Sequence, residues 1–158
     1  ITGNTFKGKT MFNHVLVPVD GSDLSMSAAR HGIELAKLCG AKLTSMMVSP
    51  TYRRHFEEGF VAPTVHVIRE RWEEEVTGRA QAVLDKICVE AGRAGVQCNS
   101  VHVFGDAPYQ AIIDTAQNKA CDVVVMGSHG YGGMKQFILG SETARVLSHS
   151  KIPVVVYR

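Results

Sequence analysis

The segment from Val123 to Ser141 constrains this chain more than any other. It begins with a run of apolar, mostly β-branched residues that ends at Gly127, a pattern typical of a strand buried on both faces. Gly130 and Gly140 follow, and Ser141 is the expected N-cap of a helix that starts behind it. Glycines let a backbone approach a phosphate closely, and the N–H groups of a first helical turn favour anions. Our hypothesis is that this segment holds the triphosphate of a nucleotide.

The rest of the chain alternates short apolar runs with amphipathic segments, which predicts a βαβαβαβαβ order. We expect the strands at residues 14–20, 42–49, 98–104, 123–127 and 153–157. Right-handed crossovers between such strands produce an α/β three-layer sandwich, in which helices cover both faces of a five-stranded parallel sheet. With the strand order 3-2-1-4-5, the order reverses between strands one and four. Ligands of such sheets bind at that reversal, and Asp20 and Gly127 end those two strands.

Local signals predict where several helices begin and end. Ser22 or Ser25 is the expected cap of the first helix, and Gly40 follows its last residue. Asp106 is the expected cap of the third helix, with Pro108 in the first turn. Asp20 has two interpretations, because it could cap the first helix or contact a ligand. We favour the ligand, since Asp20 follows the strand end at the reversal.

The region between the second and third strands divides into two parts. Residues 51–67 are irregular and long for a loop in a compact domain, so they form a lid, an interaction surface or a partly helical segment. From Ile68 to Ala91, apolar residues recur at spacings of three and four and predict a long amphipathic helix. Trp72 and its aliphatic neighbours are expected in the core.

The composition bounds the domain count and the class of protein. A chain of 158 residues with 45% hydrophobic content fits one domain, which we assign to residues 11–158. Residues 1–10 are expected to be a disordered tail or a non-native remnant, with Met11 as a candidate start. A formal net charge of +2 is too weak to indicate nucleic-acid binding. No apolar run approaches the ~20 residues of a membrane span and no signal peptide is evident, so we expect a cytoplasmic protein without membrane contact.

The cysteine pattern argues against a metal site. The chain has four widely separated cysteines and no C-x-x-C pair: Cys39, Cys88, Cys98 and Cys121. This spacing argues against a structural zinc site. Without a secretion signal, we expect all of them to be reduced, partly buried thiols.

Four motifs together resemble the universal stress protein family. They are Val-Leu-Val-Pro-Val-Asp-Gly-Ser near the start, Gly-Asp-Ala-Pro at 105–108, Val-Val-Val-Met-Gly-Ser-His-Gly followed by Leu-Gly-Ser, and Pro-Val-Val-Val near the end. The resemblance extends from about His14 to Tyr157 and implies an adenine nucleotide alpha hydrolase-like, Rossmann-like fold. The ATP-binding branch of the family carries Gly-x-x-Gly, nine residues and Gly-Ser/Thr. That spacing is matched by Gly127, Gly130, Gly140 and Ser141.

The resemblance implies a binding site for ATP, alone or with Mg²⁺ carried in by the nucleotide. Asp20 and Gly127 would contact the ribose, and backbone groups near Val48 would contact adenine. Gly130, Gly140 and Ser141 would hold the phosphates. The full set of expected nucleotide contacts is Pro18, Val19, Asp20, Val48, Met126, Gly127, Ser128, His129, Gly130, Gly140, Ser141 and Glu142.

The resemblance also implies a homodimer that forms through the last strand, residues Pro153 to Tyr157. Three valines on an edge strand need covering, which independently favours a partner.

Three functions remain open at this point. The first is an ATP-binding regulatory protein in a stress response, because the phosphate loop comes without a convincing catalytic set. The second is a slow Mg²⁺-dependent ATPase or a related adenylating enzyme, and the third is a nucleotide-free dimeric interaction module. His129 invites a role as acid or base, yet no carboxylate is paired with it by spacing, so we expect a residue at the rim of the site and assign no catalytic residue.

Overall fold

The computed structural model describes residues 10–52, 63–130 and 139–158. Four helices alternate with five strands in these residues, as the sequence predicts. In chain order they are β1 (His14–Pro18), α1 (Asp23–Cys39), β2 (Lys42–Ser49), α2 (Pro63–Arg93), β3 (Cys98–Phe104), α3 (Pro108–Asn118), β4 (Val123–Gly127), α4 (Ser141–His149) and β5 (Val154–Tyr157). Three stretches lie outside the described residues: 1–9 of the expected tail 1–10, 53–62 of the irregular segment 51–67, and 131–138 of the glycine-rich segment.

The sheet is parallel throughout and has the order β3-β2-β1-β4-β5, which confirms the predicted fold class. Alternate strand residues point to opposite faces, so two apolar clusters form. Val15 and Val17 pack with α1 and α2 on one face, whereas Leu16 and Met46 pack with α3 and α4 on the other. Because β1 and β4 are buried on both faces, both read as continuous apolar runs.

The carboxyl end of β1 leads directly into the N-terminus of α1. Pro18 is the last residue of β1, where its missing N–H costs the sheet least. Ser22 is the N-cap of α1, and its Oγ accepts a hydrogen bond from the backbone N–H of Ser25 at 3.3 Å. Gly40 follows the helix with a left-handed φ of 63°, a conformation that suits glycine. The predicted start and end of α1 are therefore confirmed, with Ser22 as the cap.

Two other helix starts differ from the prediction by one residue. The N-cap of α3 is Ala107 without a capping side-chain bond, and the Asp106 carboxylate instead accepts from the N–H and hydroxyl of Thr51, at 3.1 and 2.7 Å. The Asp106 carboxylate therefore makes two hydrogen bonds to Thr51, just after β2, instead of the one bond that capping α3 would provide. The N-cap of α4 is Gly140, and Ser141 is the first helical residue.

Helix α2 begins earlier than expected and is buried only in its C-terminal half. Its 31 residues make a helix of about 46 Å, which is longer than the strands it crosses. Its first half therefore extends beyond the sheet, where Ile68 is 53% exposed, and fully buried side chains begin at Ala80. The prediction that Trp72 is a core residue is wrong. Its half-buried ring packs against the rings of Tyr52 and Phe104, at centroid distances of 5.4 and 6.0 Å.

The expectation of four reduced cysteines is also wrong. A disulfide joins Cys88 of α2 to Cys98, the first residue of β3, while Cys39 and Cys121 are free thiols. The chain reverses between α2 and β3, which brings the two Cα atoms within 5.2 Å. A spacing of ten residues carries no sign of this reversal, because it depends on where the helix ends.

A buried histidine closes the amino-terminal end of the sheet. The ring of His14 is 4% exposed, with Nδ1 3.0 Å from the carbonyl oxygen of Lys119 and Nε2 2.8 Å from Oγ1 of Thr44. A carbonyl only accepts, so Nδ1 carries the proton and Nε2 accepts from the threonine hydroxyl. Burial lowers the pKa of His14, and the charge of Lys42 lowers it further. The Lys119 carbonyl and the Asp122 charge oppose this shift without reversing it.

We expect this histidine to make folding sensitive to mild acid. Above pH 6.5, its ordinary pKa, His14 is neutral in both states and contributes no pH dependence. Below that value the unfolded chain takes up a proton that folded His14 resists, so the free energy of unfolding falls with pH. Urea unfolding at pH 7.5 and 5.0 should show a smaller loss for His14→Gln than for the parent protein. His149→Gln, at an exposed histidine, is the control and should lose as much free energy of unfolding as the parent protein. The prediction would be contradicted if His14→Gln also lost as much as the parent.

Candidate functional site

One cleft of about 580 Å³ opens at the carboxyl ends of β1 and β4, where the strand order reverses. Its location is the one that parallel sheets use for ligands. The structure brings eleven of the twelve predicted contact residues to this cleft: Pro18, Val19, Asp20, Val48, Met126, Gly127, His129, Gly130, Gly140, Ser141 and Glu142. The exception is Ser128, whose buried side chain lies behind the lining.

Asp20 and Gly130 lie next to each other in the lining of the cleft although they are remote in sequence. Oδ1 of Asp20 accepts hydrogen bonds from the N–H and the hydroxyl of Ser22, at 3.0 and 2.6 Å. Its Oδ2 lies so close to Gly130 that a Cβ atom on this glycine would overlap it. Asp20 is not the cap of α1, because Ser22 is; its carboxylate holds this capping residue and also borders the cleft.

The end of β4 is fastened to the start of α4. The carbonyl of Gly127 accepts from the buried hydroxyl of Thr143 at 3.0 Å, and the N–H of Gly140 donates to the carbonyl of Ser128 at 2.7 Å. A Cβ on Gly140 would lie 3.1 Å from this carbonyl oxygen and 3.1 Å from the Cα of His129. A side chain at this position would therefore crowd the backbone of residues 128 and 129, which glycine lets approach closely.

The N-terminus of α4 opens into this surface. An α-helix leaves its first N–H groups without intrahelical partners, and its dipole makes this end electropositive. Ser141 and Glu142 lie in the first turn. The Glu142 carboxylate turns toward α3, where Oε2 accepts from the N–H of Tyr109 at 2.8 Å, and Oε1 accepts from Arg145 at 3.0 Å. Glu142 thus links the N-termini of α3 and α4 beside the cleft.

His129 lies in the lining with its Nδ1 3.1 Å from Oγ of Ser128. The hydroxyl of Ser128 is buried and therefore orients the ring rather than facing the cleft. This geometry suits a residue that shapes the rim of the cleft, as the sequence predicts.

Sequence reasoning missed part of the lining. The additional residues are Ser25, Pro108, Ile112, Leu139 and Thr143. Pro108 and Ile112 join Pro18, Val48 and Met126 in an apolar portion of the wall. Ile112 belongs to the buried face of α3, but nothing in the sequence indicates that the amino-terminal end of this face borders a cleft.

The described residues contain neither a metal-binding cluster nor a membrane-spanning helix. Across the ranges 10–52, 63–130 and 139–158, no three His, Cys, Asp or Glu side chains come together in a way that could hold a metal ion. In the same ranges no helix combines the length and apolar character needed to cross a membrane.

The fold and cleft define a parallel α/β protein with an open cleft at the switch point of its sheet. The chain belongs to the universal stress protein family, whose model matches residues 11–158. It is 32% identical over 150 residues to the universal stress protein YxiE of Bacillus subtilis, an alignment that covers 94% of this chain and 100% of YxiE.

Solved structures show the same fold. Protein MJ0577 of Methanocaldococcus jannaschii superimposes with a TM-score of 0.79 at 24% identity, covering 93% of this chain and 96% of that one. A universal stress protein crystallised in complex with cAMP has a TM-score of 0.63 at 25% identity, covering 93% of this chain and 97% of that one.

Proposed function

We propose that this chain binds an adenine nucleotide, ATP in the first place, and acts as a nucleotide-dependent regulatory protein in a stress response. The observation that carries the proposal is the approach of Gly130 to Asp20 beside the N-terminus of α4. This arrangement offers a carboxylate for sugar hydroxyls next to a glycine-lined backbone for phosphates. A related protein of the same fold crystallised with cAMP, which supports the adenine class of ligand.

In this proposal each part of the cleft has one task. Asp20 accepts hydrogen bonds from the ribose hydroxyls beside Gly127, and backbone groups near Val48 contact adenine along the apolar wall. The first turn of α4, with Gly140 and Ser141, holds the phosphates. Mg²⁺, where present, arrives with the nucleotide and neutralises phosphate charge.

Isothermal titration on protein freed of copurified nucleotide tests the proposal. We expect ATP to bind with one site per chain, and Asp20→Asn to weaken binding because an amide is a poorer acceptor for two hydroxyls. Titrations of AMP and cAMP, each with and without Mg²⁺, define which phosphates contribute. Nucleotide released by denaturing the purified protein provides an independent readout. Failure of every adenine nucleotide to bind would exclude the proposal and favour a nucleotide-free interaction module.

We also propose that the protein is a cytoplasmic homodimer that pairs through β5. Among the described strands β5 contacts only β4, so one edge is open, and Val155 on this strand is 44% exposed. An open apolar edge favours pairing with a second chain.

Val155→Glu should convert the dimer into monomers. A carboxylate in the proposed interface has to be buried without a partner, which should raise the dimer dissociation constant roughly a hundredfold. Light scattering coupled to size exclusion measures the change. Val89→Glu is the matched control, because Val89 is 52% exposed on α2. The interface would lie elsewhere if Val155→Glu stayed dimeric, or if Val89→Glu dissociated equally.

A further inference from the structure

The disulfide between Cys88 and Cys98 lies at the edge of the sheet, away from the cleft. Cys88 belongs to the buried half of α2, and Cys98 opens β3 in register with Leu43 of β2. Both cysteines are partly exposed, so a small thiol or oxidant can reach them. Their Cα atoms are 5.2 Å apart, within the range that a disulfide bridges without backbone movement.

The other two cysteines, Cys39 and Cys121, are not joined in a disulfide. Cys121 is buried, and burial raises its pKa to about 11, so little thiolate forms near neutral pH. Cys39 is a free thiol at the end of α1. Among the described residues, only the Cys88–Cys98 pair has two sulfur atoms in bonding contact.

The strand that this bond fastens is an edge strand of the sheet. Within the described part of the chain, β3 pairs with β2 on one side only, and Asn99 and Ser100 at its start are exposed. In the turn between α2 and β3, the N–H of Val96 donates a hydrogen bond of 2.9 Å to the carbonyl of Ala91. A covalent link across this turn therefore adds a restraint between α2 and the start of the edge strand β3.

We propose that Cys88 and Cys98 form a reversible redox modification site, oxidised by small disulfides or peroxides, that locks the open edge strand β3 onto α2. With oxidised glutathione, one cysteine thiolate attacks the disulfide, forms a mixed disulfide and releases one glutathione thiolate. The second cysteine then attacks the mixed disulfide and releases the other. The protein loses two electrons and two protons, and two glutathione molecules are formed. With hydrogen peroxide, a sulfenic acid and one water form first, and attack by the second thiol releases a second water.

Oxidation should stabilise the protein and the edge strand together. A disulfide that closes a loop of this length restricts the unfolded chain, and we expect a melting temperature about 5–10 °C higher in the oxidised form. Amide hydrogen exchange in residues 94–101 should be slower in the oxidised form, because opening of β3 then requires more of α2 to open with it.

Equilibration of the folded protein in glutathione buffers of stepped redox potential tests the proposal. Trypsin places Cys88 in peptide 87–93 and Cys98 in peptide 94–119, so mass spectrometry of the linked pair measures the oxidised fraction. We expect a two-electron transition within the glutathione range, and melting temperatures that follow it. Cys88→Ser and Cys98→Ser should each melt like the reduced parent in all buffers, whereas Cys39→Ser should keep the full shift.

Three results would overturn the proposal. The first is a pair that stays reduced in fully oxidised glutathione. The second is a pair that stays oxidised until the protein unfolds, which would make it a permanent structural bond. The third is a complete redox transition without a change in melting temperature or in exchange at residues 94–101.

Discussion

Gly130→Val is expected to lower the affinity for ATP by roughly 10- to 100-fold while leaving the protein folded. A Cβ at this position would overlap Oδ2 of Asp20 and lie 3.2 Å from its Cγ. Either the carboxylate rotates away or the loop moves outward, and both outcomes remove the proposed hydrogen bonds to the ribose. Hydrogen bonds to a charged group contribute about 1.5–3 kcal/mol, which corresponds to that loss of affinity. Isothermal titration measures it.

Gly78→Val is the matched control for this substitution. Gly78 is an exposed residue of α2 with nothing within 4 Å of an added Cβ, so the same side chain there should leave binding and folding unchanged. Unfolding curves for both variants separate lost binding from lost structure. Undiminished ATP binding by Gly130→Val would mean that the nucleotide does not use the space between Gly130 and Asp20.

The central fold was predictable because its strands are buried on both faces. A strand such as β4 has no polar face, so its run of valines is visible without an alignment, and the intervening helices imply crossovers of one hand. The order β3-β2-β1-β4-β5 then brings Asp20 and Gly127 together. Most of the cleft was predictable because it lies at the ends of these two strands.

Features that depend on element length or on competition between hydrogen bonds were not predictable. Trp72 has helical periodicity with the core residues of α2, but periodicity does not tell where a long helix leaves the sheet. Asp106 and Ser141 are residue types that commonly cap helices. However, the Asp106 carboxylate accepts two hydrogen bonds from Thr51, and Ser141 is the first residue of α4 rather than its cap. These outcomes are decided by partners that are distant in sequence or by a shift of one residue.

The cleft residues contributed by helices were missed for a related reason. Thr143 reads as an ordinary residue of a first helical turn, but its hydroxyl holds the carbonyl at the end of β4. The sequence predicts Ser25 only as a possible helix cap, although it also borders the cleft. Their roles depend on how closely α1 and α4 approach the strand ends, which is a property of packing rather than of local sequence.

Gly32→Val is expected to reduce the free energy of unfolding by about 3 kcal/mol. At Gly32 the backbone of α1 lies close against the sheet: an added Cβ would lie 2.6 Å from Cγ2 of Val17 and 3.6 Å from Cβ of Val125. Both valines are buried on adjacent strands, so neither side chain can move into solvent. Overpacking of this kind costs typically 1–3 kcal/mol, and the branched side chain of valine adds two methyl groups to the conflict.

A double-mutant cycle on the alanine variant tests the cause of this loss. Gly→Ala in a helix interior normally stabilises by about 1 kcal/mol, a gain that Gly78→Ala at an exposed position of α2 should show. At Gly32 the overlap with Val17 should cancel or reverse it. Val17→Ala removes the methyl group that the new Cβ would meet, so Gly32→Ala should be stabilising in that background. Urea unfolding of the four proteins should yield a coupling energy of at least about 1 kcal/mol. Additive effects would mean that α1 adjusts its distance from the sheet without cost, and that Gly32 is not required for the packing of α1 on β1.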